Sequence, residues 1–490
     1  MKPGFALWGA IVCAVAFAFG TECRAATVYV SLDSPNPTSP FTNWLTAATN
    51  IQDAVDAANP GDLVLVSNGV YQAGGRVVPP FALTNRVIVS QPVTLQSLNG
   101  PASTSILGNP VIGDSAVRCV YLTSGAALYG FTLANGATRT GNTDVFNERS
   151  GGGVNCASSS VVLSNCVISN CAAAYYGGAI LSGSAWNCLI VSNTAYYGGG
   201  AGNANLTACW VAGNTVGDPV HLAGGGGGIN CRCTNCVFTG NFAYGDGGAL
   251  YSSGQIINCT IVGNGAGLQG GGIYAATATN SIIYFNNAPD FTSNYSATLN
   301  FCCTMPPFSK YPPGNPTNDP LFVDWAHGDL HLQSNSLCIN SGTNSVATAH
   351  ADFDGNTRIV GRLVDIGAYE FQTPGSILPL AWLSQYNLPL DGSADFADTD
   401  ADGMNNYQEW RAGTIPTNAA SNLAFTSITN GFGRHPMLTW NRVFGVRYIL
   451  QRSTNLPVFQ TLTNAEPQGS TYIDTSATNP VPYFYRIIVP

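Results

Sequence analysis

From Gly151 to about Asn287 the apolar positions fall in short runs without helical spacing, and asparagines and glycines punctuate them at a steady interval. Asn165-Cys166-Val167-Ile168-Ser169-Asn170 precedes Gly177-Gly178-Ala179-Ile180, and Asn187-Cys188-Leu189-Ile190-Val191-Ser192-Asn193 precedes Gly198-Gly199-Gly200. Ala208-Cys209-Trp210-Val211-Ala212-Gly213-Asn214 leads to the glycines at 224–228, and Asn235-Cys236-Val237-Phe238-Thr239-Gly240-Asn241 leads to Gly247-Gly248-Ala249-Leu250. Asn258-Cys259-Thr260-Ile261-Val262-Gly263-Asn264 leads to Gly270-Gly271-Gly272-Ile273, and Asn280-Ser281-Ile282-Ile283 closes the series. The successive cysteines, with Ser281 last, lie 22, 21, 27, 23 and 22 residues apart. Such a period marks a stacked repeat. Short β-branched runs broken by Gly and Asn predict strands and turns. At roughly 3.3 Å per residue, one unit winds once around a narrow core and returns one strand spacing higher, which makes a parallel β-helix. Its glycines serve tight bends, and its asparagines tolerate left-handed corners.

On either side the pattern changes. Thr27-Val28-Tyr29-Val30 reads as a first strand; Ile51, Ala54, Val55 and Ala58 make one apolar face of a short helix, which Pro60-Gly61-Asp62 ends. That helix is expected to cap the open end of the coils, because an uncovered edge invites pairing with another chain. The β-helix is placed at 26–372 and a linker at 373–420. Residues 421–490 alternate apolar and polar in short runs such as Met437-Leu438-Thr439-Trp440, predicting a small β-sandwich with Trp440 in its core.

Composition sharpens the setting. Charged residues are 9 % of the chain and the formal net charge is -9, which opposes nucleic acid and anionic membrane as partners. Lys2, an apolar run from Phe5 to Phe19 and Cys23-Arg24-Ala25 read as a signal peptide over 1–25. The expected protein is therefore exported, secreted or at the cell surface, monomeric, and without a transmembrane span once the signal is removed. Without Cys13 and Cys23, 13 of the 15 cysteines remain. Those at one repeat position would stack with side chains parallel, too far apart for relaxed disulfides, as a buried thiol ladder. Cys231 with Cys233, Cys302 with Cys303, and Cys338 are freer to pair.

Three groups of residues carry candidate chemistry. Asp398, Asp400, Asp402, Gly403 and Glu409 complete a D-x-D-x-D-G-x5-E loop. Carboxylates at positions 1, 3 and 5, the Met404 carbonyl and a bidentate Glu409 suit a structural Ca2+; a solvated acidic loop is the plainer alternative. Tyr175, Tyr176, Tyr196, Tyr197 and Tyr244 recur just before the glycine runs, so they could form an aromatic ladder for sugar rings or simply pack along the solenoid. Asp218 and His221 sit in the insertion that lengthens one repeat to 27 residues, and with Asp246 they are the weak catalytic candidates, against a reading as solvated loop residues. Asp352, Asp354 and Arg358 read as a turn with a local ion pair.

Family resemblances add to this. Thr49 to Tyr71 and Gly130-Phe131-Thr132-Leu133-Ala134-Asn135-Gly136 resemble pectin-lyase-like right-handed β-helix proteins, and Phe238-Thr239-Gly240-Asn241 with Gly247-Gly248-Ala249-Leu250 resembles the repeats of polymorphic outer membrane proteins. Asp319-Pro320-Leu321-Phe322 through Val364-Asp365-Ile366-Gly367-Ala368-Tyr369-Glu370-Phe371 is similar to the choice-of-anchor Q region that ends many exported bacterial β-helices. The acidic loop resembles thrombospondin type 3 and dockerin-like repeats, and the end of the chain resembles fibronectin type III modules. These resemblances imply a right-handed β-helix in an exported setting, and no reaction. The preferred expectation is a non-catalytic β-helix binding polysaccharide or another extracellular surface. A polysaccharide lyase or glycoside hydrolase of unfamiliar type, and a structural adhesin recognising protein, are the alternatives.

Overall fold

The computed structural model describes residues 25–489 apart from 142, 219, 290–293, 306–315, 348, 431–434, 442, 444–445, 466–469 and 479–481, so the signal peptide, save Ala25, lies outside the described residues. The chain is mostly β and winds as a parallel β-helix. One coil runs Ser184–Trp186, Leu189–Val191, Thr194–Tyr197, Ala201–Gly202, and the next begins at Asn205–Thr207. Each strand pairs in parallel with its equivalent one repeat later: Ser184 with Asn205, Leu189 with Trp210, Thr194 with Thr215, Ala201 with Gly228. Stacking gives a bent nineteen-stranded sheet, a ten-stranded second sheet and a five-stranded third sheet.

The corners explain the repeat. Asn165, Asn187, Asn235, Asn258 and Asn280 all have φ between 50 and 52°, the left-handed region where asparagine is tolerated. Inside, every second residue of a strand points into one continuous core, as with Leu163, Ile168, Ile190, Val211, Phe238 and Ile261. All thirteen described cysteines are buried and none forms a disulfide among the described residues, Cys231, Cys233, Cys302, Cys303 and Cys338 included. From the second repeat onward, the asparagine five residues after the cysteine or serine forms a ladder within the core. Asn193, Asn214, Asn241, Asn264 and Asn286 each donate through the side-chain amide to two carbonyls and to the next side-chain oxygen. In the same register each backbone N–H donates to the next asparagine, as Asn214 N to Asn241 Oδ1 at 3.1 Å.

The helix Ile51–Ala57 caps the first coils, with Ile51, Ala54 and Val55 buried against the core and Asn50 as its N-cap. At the other end, residues 320–412 cover the outside of the second sheet. Val237, Val262 and Ile282 point away from the solenoid interior and are buried beneath Phe322, Leu330, Ile366, Leu378, Leu383 and neighbours. Residues 376–412, expected as a linker, thus supply part of a second core. In this cover Arg358 is buried and donates to the carbonyls of Asp365, Gly367 and Ala368, so the expected ion pair with Asp352 or Asp354 is not formed among the described residues. Asp352 instead accepts from the N–H groups of Asp354, Asn356 and Glu370. Asp354 turns outward to His331, whose two ring nitrogens stand 2.6 Å from Asp329 and Asp354. After the cover come two three-stranded antiparallel sheets, one ordered Phe425–Asn430, Pro436–Trp440, Thr471–Ile473 and the other Val458–Ala465, Tyr448–Asn455, Phe484–Ile488, with Trp440 buried.

Candidate functional site

The third sheet is short, and its strands Ala172–Tyr176 and Thr194–Tyr197 end at the glycine corner. There Gly177 and Gly198 adopt φ of 59° and 63°; a Cβ on Gly198 would fall 2.4 Å from the Ala201 carbonyl, so only glycine fits. The tight corner sets paired tyrosines in register, with Tyr176 opposite Tyr197. Two interlocked aromatic columns result. Tyr175 stacks on Tyr196 at 5.7 Å and 25°, and Tyr176 faces Tyr197 at 5.7 Å and 32°. Within each pair the rings meet edge to face, at 4.6 Å and 4.7 Å. All four rings are partly exposed. Burial lifts the hydroxyl pKa of Tyr176 and of Tyr197, and the neighbouring hydroxyls add to the shift.

The columns extend at both ends. Phe146, 54 % exposed, stacks on Tyr176 at 6.2 Å, and the Arg149 guanidinium lies over Tyr175 at 5.1 Å. Both come from the excursion that precedes Val154–Cys156, which is held in two ways. Asp144 accepts from the N–H groups of Phe146 and Asn147, and the buried Arg118 donates to the carbonyls of Asn147, Ser150 and Gly151. Neither Phe146 nor Arg118 is marked by the repeat pattern, because their neighbours lie about thirty residues away. At the other end His221 meets Tyr196 edge-on at 5.9 Å.

Tyr244 belongs to the same position two coils beyond Tyr196, since Ala195 pairs with Val216 and Val216 with Ala243. The coil between carries Gly217, at φ 73°, where the chain leaves for the insertion. The tyrosine ladder is therefore interrupted there; Tyr244 packs edge-on to Phe242 at 5.0 Å, and His221 fills the end of the column on the Tyr196 side.

Of the three catalytic candidates, the structure brings two together. Asp218 accepts from His221 Nδ1 at 3.0 Å and from the N–H groups of Val220 and His221. The His221 bond, then those backbone donors, hold its carboxyl below the usual range. Asp246 serves a different purpose: its Oδ1 accepts from Gln269 N of the next coil at 3.0 Å.

The acidic loop is gathered as its spacing predicts. One carboxylate oxygen from each of Asp398, Asp400 and Asp402 lies within 4.8 Å of the others. Asp398 accepts from the N–H groups of Asp402 and Gly403, and Gly403 makes the turn at φ 95°. Met404 follows, its N–H on Asp402 Oδ1, and Asn405 caps the helix Asn406–Ala412 through a capping box with Gln408, which sets Glu409 on the first turn. Glu409 is fully buried. Burial pushes its pKa up to about 7, with Asp400 and Asp402 adding repulsion. Both oxygens of Asp400, Oδ2 of Asp402 and Oε2 of Glu409 are buried without a hydrogen-bond partner among the described residues. Buried carboxylate oxygens left bare in this way fit a hard cation.

No family model and no curated protein matches the chain. Among solved structures it is similar to pectate lyase Pel9A, with TM-score 0.41 and 14 % identity over 70 % of this chain and 96 % of that one. It is also similar to a rhamnogalacturonan lyase, with TM-score 0.32 and 13 % identity over 57 % and 74 %. A third is an alginate lyase from Paenibacillus sp. str. FPU-7, with TM-score 0.25 and 13 % identity over 51 % and 96 %. At these scores the likenesses assign no residue a role.

Proposed function

We propose that the chain is an exported β-helix that retains polysaccharide on its tyrosine corner without cleaving it, with a structural Ca2+ in the 398–409 loop. The observation that carries this reading is the pair of partly exposed aromatic columns, running along the solenoid from Phe146 and Arg149 to His221. Coils stand about 4.8 Å apart, so the rings form a row along which an extended glycan can lie, apolar ring faces on sugar C–H groups and hydroxyls in water. The nearby carboxylates are engaged: Asp144 caps its own loop, Glu148 accepts from Ala82 N, and Asp218 holds His221. Glycoside hydrolysis asks for two carboxyl groups available on one surface, so retention is the better-supported role. A lyase is the second reading, because His221, oriented by Asp218, stands beside Tyr196 as a base would.

One experiment separates them. The purified mature chain, with calcium, is run through gels containing plant and algal polysaccharides, while reducing ends and unsaturated-uronate absorbance are followed in solution. Retardation without products is expected, and Tyr175→Ala with Tyr196→Ala should abolish it while the unfolding midpoint stays. Equal retention by that double variant removes the binding reading; product release turns attention to His221. For the ion, Asp398, Asp400, Asp402, Glu409 and the Met404 carbonyl would be the ligands. Calcium should raise the thermal midpoint in calorimetry and Asp400→Asn should remove the rise; a midpoint indifferent to calcium would leave the loop a solvated acidic turn.

A further inference from the structure

A second cavity lies well away from the tyrosine corner. About 530 Å³ in volume, it opens where the last coils, the cover and the helix Leu380–Gln385 meet. Trp382, Trp410 and Phe301 supply its aromatic surface, and Asn318, Ser384 and Gln385 its polar groups. None of the described residues lining it is ionisable. The side chains of Asn318, Ser384 and Gln385 make no hydrogen bond among the described residues, and Asn318 and Gln385 are exposed at its rim. A site of this size, with aromatic faces, a few convergent amides and hydroxyls and no charge, suits a neutral ligand that stacks and hydrogen-bonds at once. A charged ligand would lose its hydration there and find no counter-ion.

The cavity also adjoins the helix in which the acidic loop ends. Trp410 follows Glu409 on the helix Asn406–Ala412. Trp382 stands edge-on to Tyr386 at 5.3 Å on the other wall. One tryptophan wall, Trp410, is thus carried on the same helix as Glu409.

We infer that this cavity binds an uncharged sugar unit of a glycan between Trp382 and Trp410, and that the ion in the 398–409 loop sets its affinity. The second half rests on the calcium reading above; the first does not. The test uses tryptophan fluorescence of the full mature chain, titrated with neutral oligosaccharides of glucose, mannose and xylose and with oligogalacturonate as the charged control. A saturable change with at least one neutral oligosaccharide is expected. Gln385→Ala should weaken it several-fold and Trp382→Ala about tenfold or more, while Trp382→Phe, which keeps an aromatic face and controls for folding, retains much of it. Calcium chelation should weaken the same titration several-fold; an unchanged titration overturns the coupling. No response to any neutral oligosaccharide, a tighter response to oligogalacturonate, or full binding by both Gln385→Ala and Trp382→Ala overturns the site. The variant carrying Tyr175→Ala and Tyr196→Ala must keep the fluorescence response; if it loses that response, the signal does not come from this cavity. Gel retardation retained by Trp382→Ala keeps failure here distinct from failure of the tyrosine corner.

Discussion

Replacing Arg118 by methionine tests how the aromatic corner is held. The Arg118 side chain is fully buried, and its guanidinium donates to Asn147 O at 2.6 Å, Gly151 O at 2.8 Å, Ser150 O at 2.9 Å and Asn85 Oδ1 at 2.9 Å. Burial without a bonded carboxylate pushes its pKa down to about 9, which leaves it charged at neutral pH. Methionine keeps much of the apolar stem but strips the donors from three carbonyls and one amide oxygen. At about 1–3 kcal/mol for each buried group left unpaired, the gross loss is about 4–12 kcal/mol. Against this, the variant no longer buries a charge, which returns several kcal/mol. The net destabilisation should be about 2–5 kcal/mol, read as a lower denaturant midpoint at unchanged slope. Three of the four acceptors lie between Asn147 and Gly151, so amide exchange there should quicken first, and polysaccharide retention should weaken with it. Arg118→Lys should fall between, since an ammonium is a point charge with three donors rather than a planar fork. An unchanged midpoint together with unchanged exchange at 146–151 would refute the reasoning.

Two further outcomes are expected. Asn241→Ala removes a side chain that bonds Val211 O, Thr239 O, Asn264 Oδ1 and Asn214 N, and should cost about 2–4 kcal/mol in denaturant unfolding; a loss below about 1 kcal/mol would mean the ladder contributes little. At His331 burial works to lower the pKa, but the bonds to Asp354 and Asp329 outweigh it and raise the folded value above the ordinary one. The resulting stabilisation is complete below the ordinary histidine pKa and is lost as pH rises through the raised folded value, so the unfolding midpoint should fall over that window in the native chain and not in His331→Gln; parallel profiles would contradict the linkage.

Periodicity made the solenoid legible because its causes are local. Left-handed corners need Asn or Gly, inward positions need apolar side chains, and both recur with each turn of the chain. The cap was equally plain: Ile51, Ala54 and Val55 make one face, and that face is buried. The cover over the second sheet left a fainter signal. Val237-Phe238 and Ile282-Ile283 place apolar residues at adjacent positions, which in a strand means both faces are buried, yet nothing in them names residues 320–412 as the covering segment. The aromatic corner was half legible, since tyrosine pairs announce themselves by recurrence. The clamp by Arg118 joins positions far apart in the chain, and the break at Gly217 depends on register across the insertion. The acidic loop was the clearest local pattern, its carboxylates being encoded within twelve residues, from Asp398 to Glu409.

The asparagine ladder bears on how long such a protein can become. Each rung takes its partner from the coil above, and the topmost, Asn286, is served by Asn294 Oδ1, only eight positions later. At the foot, Cys171 N donates to Asn193 and the series begins without a further asparagine. At the foot a cysteine thus stands in the asparagine's place, and at the top Asn294 supplies the last acceptor. A duplicated unit slipped in between would meet the same donors and acceptors on either side as its parent did. Coil number is a free variable for this architecture, and each added coil brings its own glycine corner with room for another pair of rings.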